Sequence, residues 1–583
     1  MKPILDGVTY PVRQAWYLAR FGRNRPDRLM DSPDRRRPGA VQRHERRGRT
    51  VIITCAQGGY ALTVLAPDLF RVSAFPGTGR AGEWGVQPFS YAVDRPDEDW
   101  PLCQMAVEEG ESDLAIHTAR LVCRIEKATG RLTFLDREGR VINADMGGAG
   151  FLPGGAVVWE KRIQPDEHFY GLGERTAGLD LRGQRYDLWN QDPHSYYLHQ
   201  DPIHMCIPFL LGLHDGGRQA YGLFFDNSHR GRVDLGATDA EVASFAALNG
   251  ELRTYFFYGP RLDTILERYT ALVGRMLLPP LWVLGYQQSR WSYKTEDRVR
   301  KLAHDFRRVY QVPCDAIHLD IHYMDRYRSF TWDPKRFPDP LRKIADLRAD
   351  GFKTVLIIDP GIAANPNYWV CRSGLEEDVF CKFPDGRTRF KGPVWPGNCY
   401  FPDFTSPRVR RWWAGLQQGL TEVGVAGIWN DMNEPAIFGP FGPTIPDAVR
   451  HAMEGQGGDH LAGHNVYGLL MARATHEGLR RQQPEKRPVT ITRAGWAGVQ
   501  RYALSWTGDN RSTWAHLQQT VAMILNLGLS GVAHTGPDTG GFSGVASGEL
   551  FTRWLQMGAF MPFFRVHTYL HSPDAEPWSW GEP

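Results

Sequence analysis

From Leu281 onward the chain repeats one unit, a short apolar run that stops at polar or charged residues and is followed in most cases by a helix-forming stretch. Eight such runs occur: Leu281–Tyr286, Ala316–Leu319, Thr354–Ile358, Val425–Trp429, Val489–Ile491, Tyr502–Trp506, Leu529–His534 and Pro562–Phe564. Strands that alternate with helices build parallel sheets, and eight of them build a (β/α)8 TIM barrel. In that fold the residue after each strand faces the mouth where chemistry takes place. The intervals after the third and fourth runs are long, so inserted substructures are expected there.

The N-terminal half has a different rhythm. Thr50–Thr54 and Tyr60–Val64 flank Gly58-Gly59, a hairpin signal. Leu121–Ile125, Leu132–Leu135 and Val141-Ile142 are separated by turns at Thr129-Gly130 and Arg137-Glu138-Gly139, and Tyr221–Phe225 and Thr254–Tyr258 follow. Many short strands at regular spacing predict a β-sandwich. Residues 1–260 are therefore expected to form an N-terminal sandwich domain and 261–583 the barrel. Leu262, Ile265, Leu266, Tyr269, Leu272 and Val273 lie at helical spacing, which predicts a connecting helix over 262–275, ended by Pro279-Pro280. Residues 19–49, with Arg35-Arg36-Arg37 and Arg46-Arg47 among acids and prolines, read as a solvated loop.

At 583 residues the chain is too long for one core. A net charge of +3 gives no reason to expect nucleic acid. No run of eighteen apolar residues suggests a membrane span, and the opening Met1–Gly7 lacks the apolar core of a secretory signal. The eight cysteines show no Cys-x-x-Cys spacing and no zinc-like pairing with histidine, and are read as reduced thiols of a cytoplasmic protein. The chain is rich in aromatics (Trp 19, Tyr 22, Phe 29), whose flat faces suit sugar rings.

The residues at the strand ends are Gln287-Gln288, Asp320, Asp359, Asp431 with Glu434, Arg493, Asp509, Asp538 and His567. Like charges repel and burial raises their cost, so a structural protein has no reason to gather carboxylates at one rim. Asp320 and Asp538 could each be a helix N-cap. Two chemistries explain such a rim. One is a divalent metal, for which His318-x-Asp320-x-His322 would place three donors on one strand face. The other is glycoside hydrolysis, which needs two carboxylates flanking the scissile bond.

Trp429–Pro435 (Trp-Asn-Asp-Met-Asn-Glu-Pro) and Trp506–Asn510 (Trp-Thr-Gly-Asp-Asn) resemble glycoside hydrolase family 31 of the α-glucosidase type. Supporting segments are Leu319–Met324, Asp359–Ile362, Val394–Gly397, Arg493–Gly495, Asp538–Phe542 and Phe564–His567, and the likeness begins near Phe169–Glu174. The resemblance implies a retaining exo-acting α-glucosidase that needs no cofactor and no metal, with Asp431 as nucleophile and Asp509 as general acid/base. It implies that Asp320, Met432, Arg493, Asp538 and His567 bind the sugar and that Trp395, Trp429, Trp506 and Phe542 wall its pocket. Asp192 resembles the residue that the N-terminal domain sends into the site, and Glu434 takes a supporting role. The implied partner is an α-linked gluco-oligosaccharide, with α-xylosidase, transglucosylase or an inactive binding relative as alternatives. Two departures stand out. His322 occupies a position where the family usually has aspartate. The family also continues with a last barrel helix and C-terminal β domains, so these are expected to be missing and the eighth strand to lack its cover.

Overall fold

A computed structural model describes residues 30–77, 89–439 and 442–581. The N-terminal half forms two antiparallel sheets. The first runs, in spatial order, Val41–Arg47, Thr50–Cys55, Gly58–Ala66, Leu69–Pro76, Leu252–Tyr258, Gln219–Phe225, Cys206–His214 and His168–Gly173. The second has nine strands, from Arg185–Leu188 at one edge to Ala106–Glu109 at the other. The sheets bury their facing sides against each other. Phe134 of the second stacks on Phe256 of the first with centroids 3.8 Å apart, a pair worth about 0.5–1.5 kcal/mol beyond its buried area. Leu252–Tyr258 is buried along both faces because the helix Leu262–Val273 packs against the outside of its sheet. There Tyr269 stacks on Phe209 at 3.7 Å.

Two sequence readings in this half need correction. Residues 41–47 are not loop but an edge strand paired to Thr50–Cys55. Its arginines and glutamate hide the strand pattern, and charges on an edge discourage pairing with other chains. Nearby, Arg35 and Arg37 reach Glu160 of the second sheet. Gly58-Gly59 is not the hairpin turn but the start of the next strand, the register pairing Cys55 with Gly58. Glycine is required because a Cβ at Gly58 would lie 2.4 Å from the Phe75 carbonyl, and one at Gly59 2.3 Å from that of Ile53.

The second half is a parallel barrel. Its strands are Tyr286–Gln288, Ala316–Leu319, Lys353–Ile358, Gly427–Asn430, Thr490–Thr492, Leu504–Trp506, a split seventh strand, and Phe564–Val566, which returns to pair with the first. Thr535–Gly536 pairs with the sixth strand and Asp538–Thr539 with the eighth. Between them stands Pro537, which has no N–H to donate to a ladder, so the ring closes except at that residue. Outer helices follow, several begun by a side-chain cap: Thr295 for Glu296–His304, Asp339 for Pro340–Ala349, Thr513 for Trp514–Leu529 and Ser547 for Gly548–Gly558. Such a cap is worth roughly 1 kcal/mol. The loop after the third strand carries a three-stranded sheet of Ile362–Ala363, Gly397–Tyr400 and Gly392–Val394, and the loop after the fourth carries a two-stranded one.

Boundaries shift where apolar residues flank a strand without joining its ladder. Leu281–Leu284 is a 3-10 turn leading into the first strand, and Leu529 ends the helix before the seventh strand, with 530–534 as the turn between them. The eighth strand begins at Phe564, after the fully buried Phe563. Among the described residues no helix follows Val566, and Phe560, just before the last strand, is 93% exposed. No helix among the described residues is long and apolar enough to cross a membrane, and all eight cysteines are free thiols.

Candidate active site

The fourth strand, Gly427–Asn430, is buried throughout and stops one residue before Asp431. Its end delivers that carboxylate into a cavity of about 530 Å³ at the C-terminal mouth of the barrel. Arg493, following the fifth strand, enters the same cavity with three carboxylates around its guanidinium. Nη1 lies 3.0 Å from Asp431 Oδ1, Nη2 3.2 Å from Asp192 Oδ2, and Nε 2.7 Å from Glu434 Oε1. The guanidinium also donates from Nη2 to Glu434 Oε2 at 2.9 Å. One buried cation thus organises the acids of two domains, because Asp192 arrives on the loop that joins Arg185–Leu188 to Cys206–His214.

The remaining acids differ in company. Among the described residues no ion pair reaches Asp509, whose carboxyl also lines the cavity. Burial pushes it up to about 7, with Asp192 and Asp431 adding to the shift and Arg493 opposing it. Burial likewise raises Asp431, against the pull of Arg493. At Asp192 burial is outweighed by Arg493 and His194, and the carboxyl is held well below the usual range. Asp320 is raised by burial and by Asp431, although its side chain accepts from the Ile321 N–H at 2.6 Å. It is both the cap of a 3-10 turn and a wall of the cavity.

The walls are aromatic. Trp395 meets Phe438 edge-on at 4.8 Å, and Phe542 lies over His567 at 5.1 Å. His567 is kept neutral by burial and by Arg565, and its Nδ1 pairs with the Ser289 hydroxyl at 2.8 Å. Trp429 lines the cavity and its buried indole N–H has no partner within the protein. Met432, at φ 56°, completes the turn beside Asp431 and also lines the cavity.

Trp506 and Asp538 stand one layer behind this wall. Trp506 meets Trp429 edge-on at 5.3 Å, and Asp538 accepts from Arg565 Nη2 at 2.7 Å. The Arg565 guanidinium lies 4.4 Å over Trp429 and 5.0 Å over Trp506. These residues hold the floor rather than line it: Trp506 is the last residue of the sixth strand and Asp538 lies within the split seventh strand, not beyond a strand end. Asp359 is buried with both carboxyl oxygens unpartnered, and it does not line the cavity. Gln287 and Gln288 also turn inward. The first accepts from His318 Nε2 at its Oε1 at 2.8 Å, and the second donates to the Tyr293 hydroxyl at 3.1 Å. His318, Asp320 and His322 do not share a strand face, because the strand ends at Leu319 and Ile321–Tyr323 turn as 3-10 helix. A different trio, Cys381, Asp403 and His451, does converge, joining thiol and imidazole from distant segments. There His451 Nδ1 pairs with Asp403 at 2.9 Å and its Nε2 with His460 at 2.9 Å.

Sequence reasoning missed the rim. His194, Ser195, Trp291, Phe438, Arg511, Ser543 and Tyr569 also line the cavity. Arg511 donates to the carbonyls of Ser195 and Tyr196 and stacks over Tyr197 at 3.8 Å, and the Ser195 and Ser543 hydroxyls meet at 2.5 Å. Trp291 and Arg511 stand within a few residues of strand ends already singled out, so extending each strand end by three residues would have found them.

Residues 276–583 match the model of the glycosyl hydrolases family 31 TIM-barrel domain. Residues 60–234 match that of the glycosyl hydrolase 31 N-terminal galactose mutarotase-like domain. The chain is 41% identical over 530 residues to alpha-glucosidase 2 of Bacillus thermoamyloliquefaciens, covering 91% of this chain and 66% of that protein. It is 36% identical over 449 residues to an alpha-glucosidase of Saccharolobus solfataricus, covering 73% and 64% respectively. The chain therefore spans just under two thirds of the length of these relatives. Among solved structures, a Flavobacterium johnsoniae family 31 dextranase in complex with isomaltotriose superposes with a TM-score of 0.86 at 30% identity, covering 94% of this chain and 67% of that one. With the barrel model matching more than half of the sequence, the chain belongs to glycosyl hydrolase family 31.

Proposed function

We propose that this chain is a retaining, exo-acting α-glucosidase that removes terminal glucose from α-linked gluco-oligosaccharides. The observation that carries the reading is the unequal treatment of two carboxyls in one cavity. Asp431 is ion-paired to Arg493 at 3.0 Å, whereas Asp509 is pushed up to about 7. A carboxylate beside a fixed cation suits a nucleophile, and a carboxyl that holds its proton near neutrality suits a general acid. The alpha-glucosidase names of the relatives support the substrate class.

In the first step Asp431 attacks the anomeric carbon, the bond to the leaving oxygen breaks, and that oxygen takes the proton of Asp509. A β-glycosyl ester on Asp431 results. In the second step Asp509 accepts a proton from water as the water oxygen bonds to the anomeric carbon. The ester bond breaks, freeing Asp431 and releasing α-glucose with net retention. Asp320 and His567 would bond the sugar hydroxyls, and the Trp429 indole N–H would donate to one. Trp395 and Phe542 would cover the apolar faces of the ring. Arg493 would keep Asp431 ionised and Asp192 oriented, and Met432 would pack beneath the ring. Asp538 and Trp506 would act through Arg565 and Trp429. We place the catalytic unit in the barrel, with the sandwich lending the loop that carries Asp192.

The test is turnover of p-nitrophenyl α-glucoside and α-xyloside by the wild-type chain and by Asp431→Ala and Asp509→Ala. The glucoside should be preferred. Asp431→Ala should lower kcat by roughly 10⁴-fold or more, and azide should partly restore Asp509→Ala on this activated substrate. Xyloside preference, or substantial turnover by Asp431→Ala, would overturn the reading.

A further inference from the structure

His204 closes the loop that brings Asp192 into the barrel, yet it does not line the cavity and is fully buried. Its Nδ1 lies 3.1 Å from Glu434 Oε1. A carboxylate only accepts, so this nitrogen carries the hydrogen. Glu434 in turn receives Nε and Nη2 of Arg493, whose Nη1 faces Asp431. One edge of the imidazole is thereby linked to the arm that carries Asp431.

The opposite edge meets the other arm. Gly508 precedes Asp509 and sits at φ +60°, and a Cβ there would lie only 2.1 Å from His204 Nε2. No side chain fits between the ring and this backbone. The ring therefore occupies the space separating the two loops, and it enters that space from the N-terminal domain rather than from the barrel.

We propose that His204 is a positioning residue for the reaction, a wedge that sets the Asp431 arm and the Asp509 arm against each other. The inference rests on the roles proposed above for those two aspartates. It also has an electrostatic side. The ring faces Glu434 and Arg493 from the barrel, Asp538 from the seventh strand, Asp192 and Tyr196 of its own loop, and Glu174, with Arg175 adjacent, from the sandwich. Four carboxyls face two guanidiniums, Arg493 and Arg175, with Arg565 paired to Asp538 behind them, so the acids of the cluster still outnumber its arginines. Burial alone would lower the His204 pKa, but Glu434 and Glu174 outweigh it and raise it. When the ring takes its second proton it adds positive charge beside these acids, so its removal should let them take up protons at higher pH.

Kinetics of four variants of the full chain on p-nitrophenyl α-glucoside test this. His204→Ala should lower kcat by about 10²-fold, the scale of a 1 Å misplacement, with KM changed little. It should also move the acidic limb of the kcat/KM profile upward. His204→Gln keeps an N–H for Glu434 but no charge, so it should recover most of kcat while the limb stays displaced. Gly508→Ala should be slow, and the double variant Gly508→Ala/His204→Ala should be less impaired than the product of the two single losses. A folded His204→Ala with unchanged kcat and limb overturns the proposal. If His204→Ala does not fold, an unchanged acidic limb in His204→Gln overturns it instead. Activity retained by Asp431→Ala would sink the underlying reading. Loss there with silent His204 variants would sink this inference alone.

Discussion

The carboxyls of Asp431 and Asp509, which line one cavity, are chemically the same group in different company, and in the proposed reaction that difference assigns their roles. Asp509 is raised to about 7, first by burial and then by Asp192 and Asp431. As the acid it must be protonated, so kcat/KM should fall as pH rises through about 7. Asp509→Asn should lose that limb, which a pH-rate profile of the two proteins checks. Folding linkage has the same sign. A carboxyl raised above its ordinary value stabilises the fold below about pH 4, and the contribution is lost as pH rises toward 7. Melting temperatures across that window should decline less steeply in Asp509→Asn. These acids were legible in the sequence because each follows an apolar run. Their electrostatic inequality follows from the roles the resemblance implies, not from the residue pattern itself, and its causes, burial of Asp509 and the placing of Arg493, are features of the fold.

At the scale of elements, the loops after the sixth and seventh strands lie back to back, fastened by Asn510. Its Nδ2 donates to the Asp538 carbonyl at 3.1 Å, its Oδ1 accepts from the Phe542 N–H at 2.8 Å, and its carbonyl accepts from the Ser543 N–H at 3.1 Å. Behind them Gly541, at φ +88°, leaves no room for a Cβ, which would stand 2.3 Å from Ser512 N. Asn510→Ala leaves the buried Phe542 N–H without a partner, while the Asp538 carbonyl keeps the Gly541 N–H, so it should cost about 1–3 kcal/mol. It should also lower kcat by loosening Asp509, and chemical denaturation combined with steady-state kinetics reads both. The barrel strands were legible from their apolar runs, but their ends were not. Buried residues such as Phe563 precede the ladder and extend the run, and the split at Pro537 depends on neighbours far away in sequence.

At the scale of the whole molecule, the two halves are joined by polar side chains that bond backbone groups across the seam. Asn465 of the barrel accepts the Asn190 N–H at 3.0 Å, and its Nδ2 donates to the Leu188 and Ser228 carbonyls. Asn190 Nδ2 answers with bonds to the Asn465 and Gly495 carbonyls. Gly171 and Gly173 of the sandwich donate to Asn526 and Ser530 of a barrel helix at 2.9 and 2.8 Å. This seam fixes the loop that bears Asp192 and His204. Asn465→Ala should lower the melting temperature and raise KM together, and unchanged KM would mean that the seam does not position the loop. The division into sandwich and barrel was legible from the change of hydrophobic period near residue 262. The seam was not, because it is made of asparagines with no periodicity, 275 positions apart.

The most direct test of the account is to trap the intermediate with 5-fluoro-α-D-glucosyl fluoride and map the modified peptide by mass spectrometry. The account predicts one glycosyl group on Asp431 and none on that peptide in Asp431→Ala. A label on another residue, or β-glucose as the first product of hydrolysis, would contradict it.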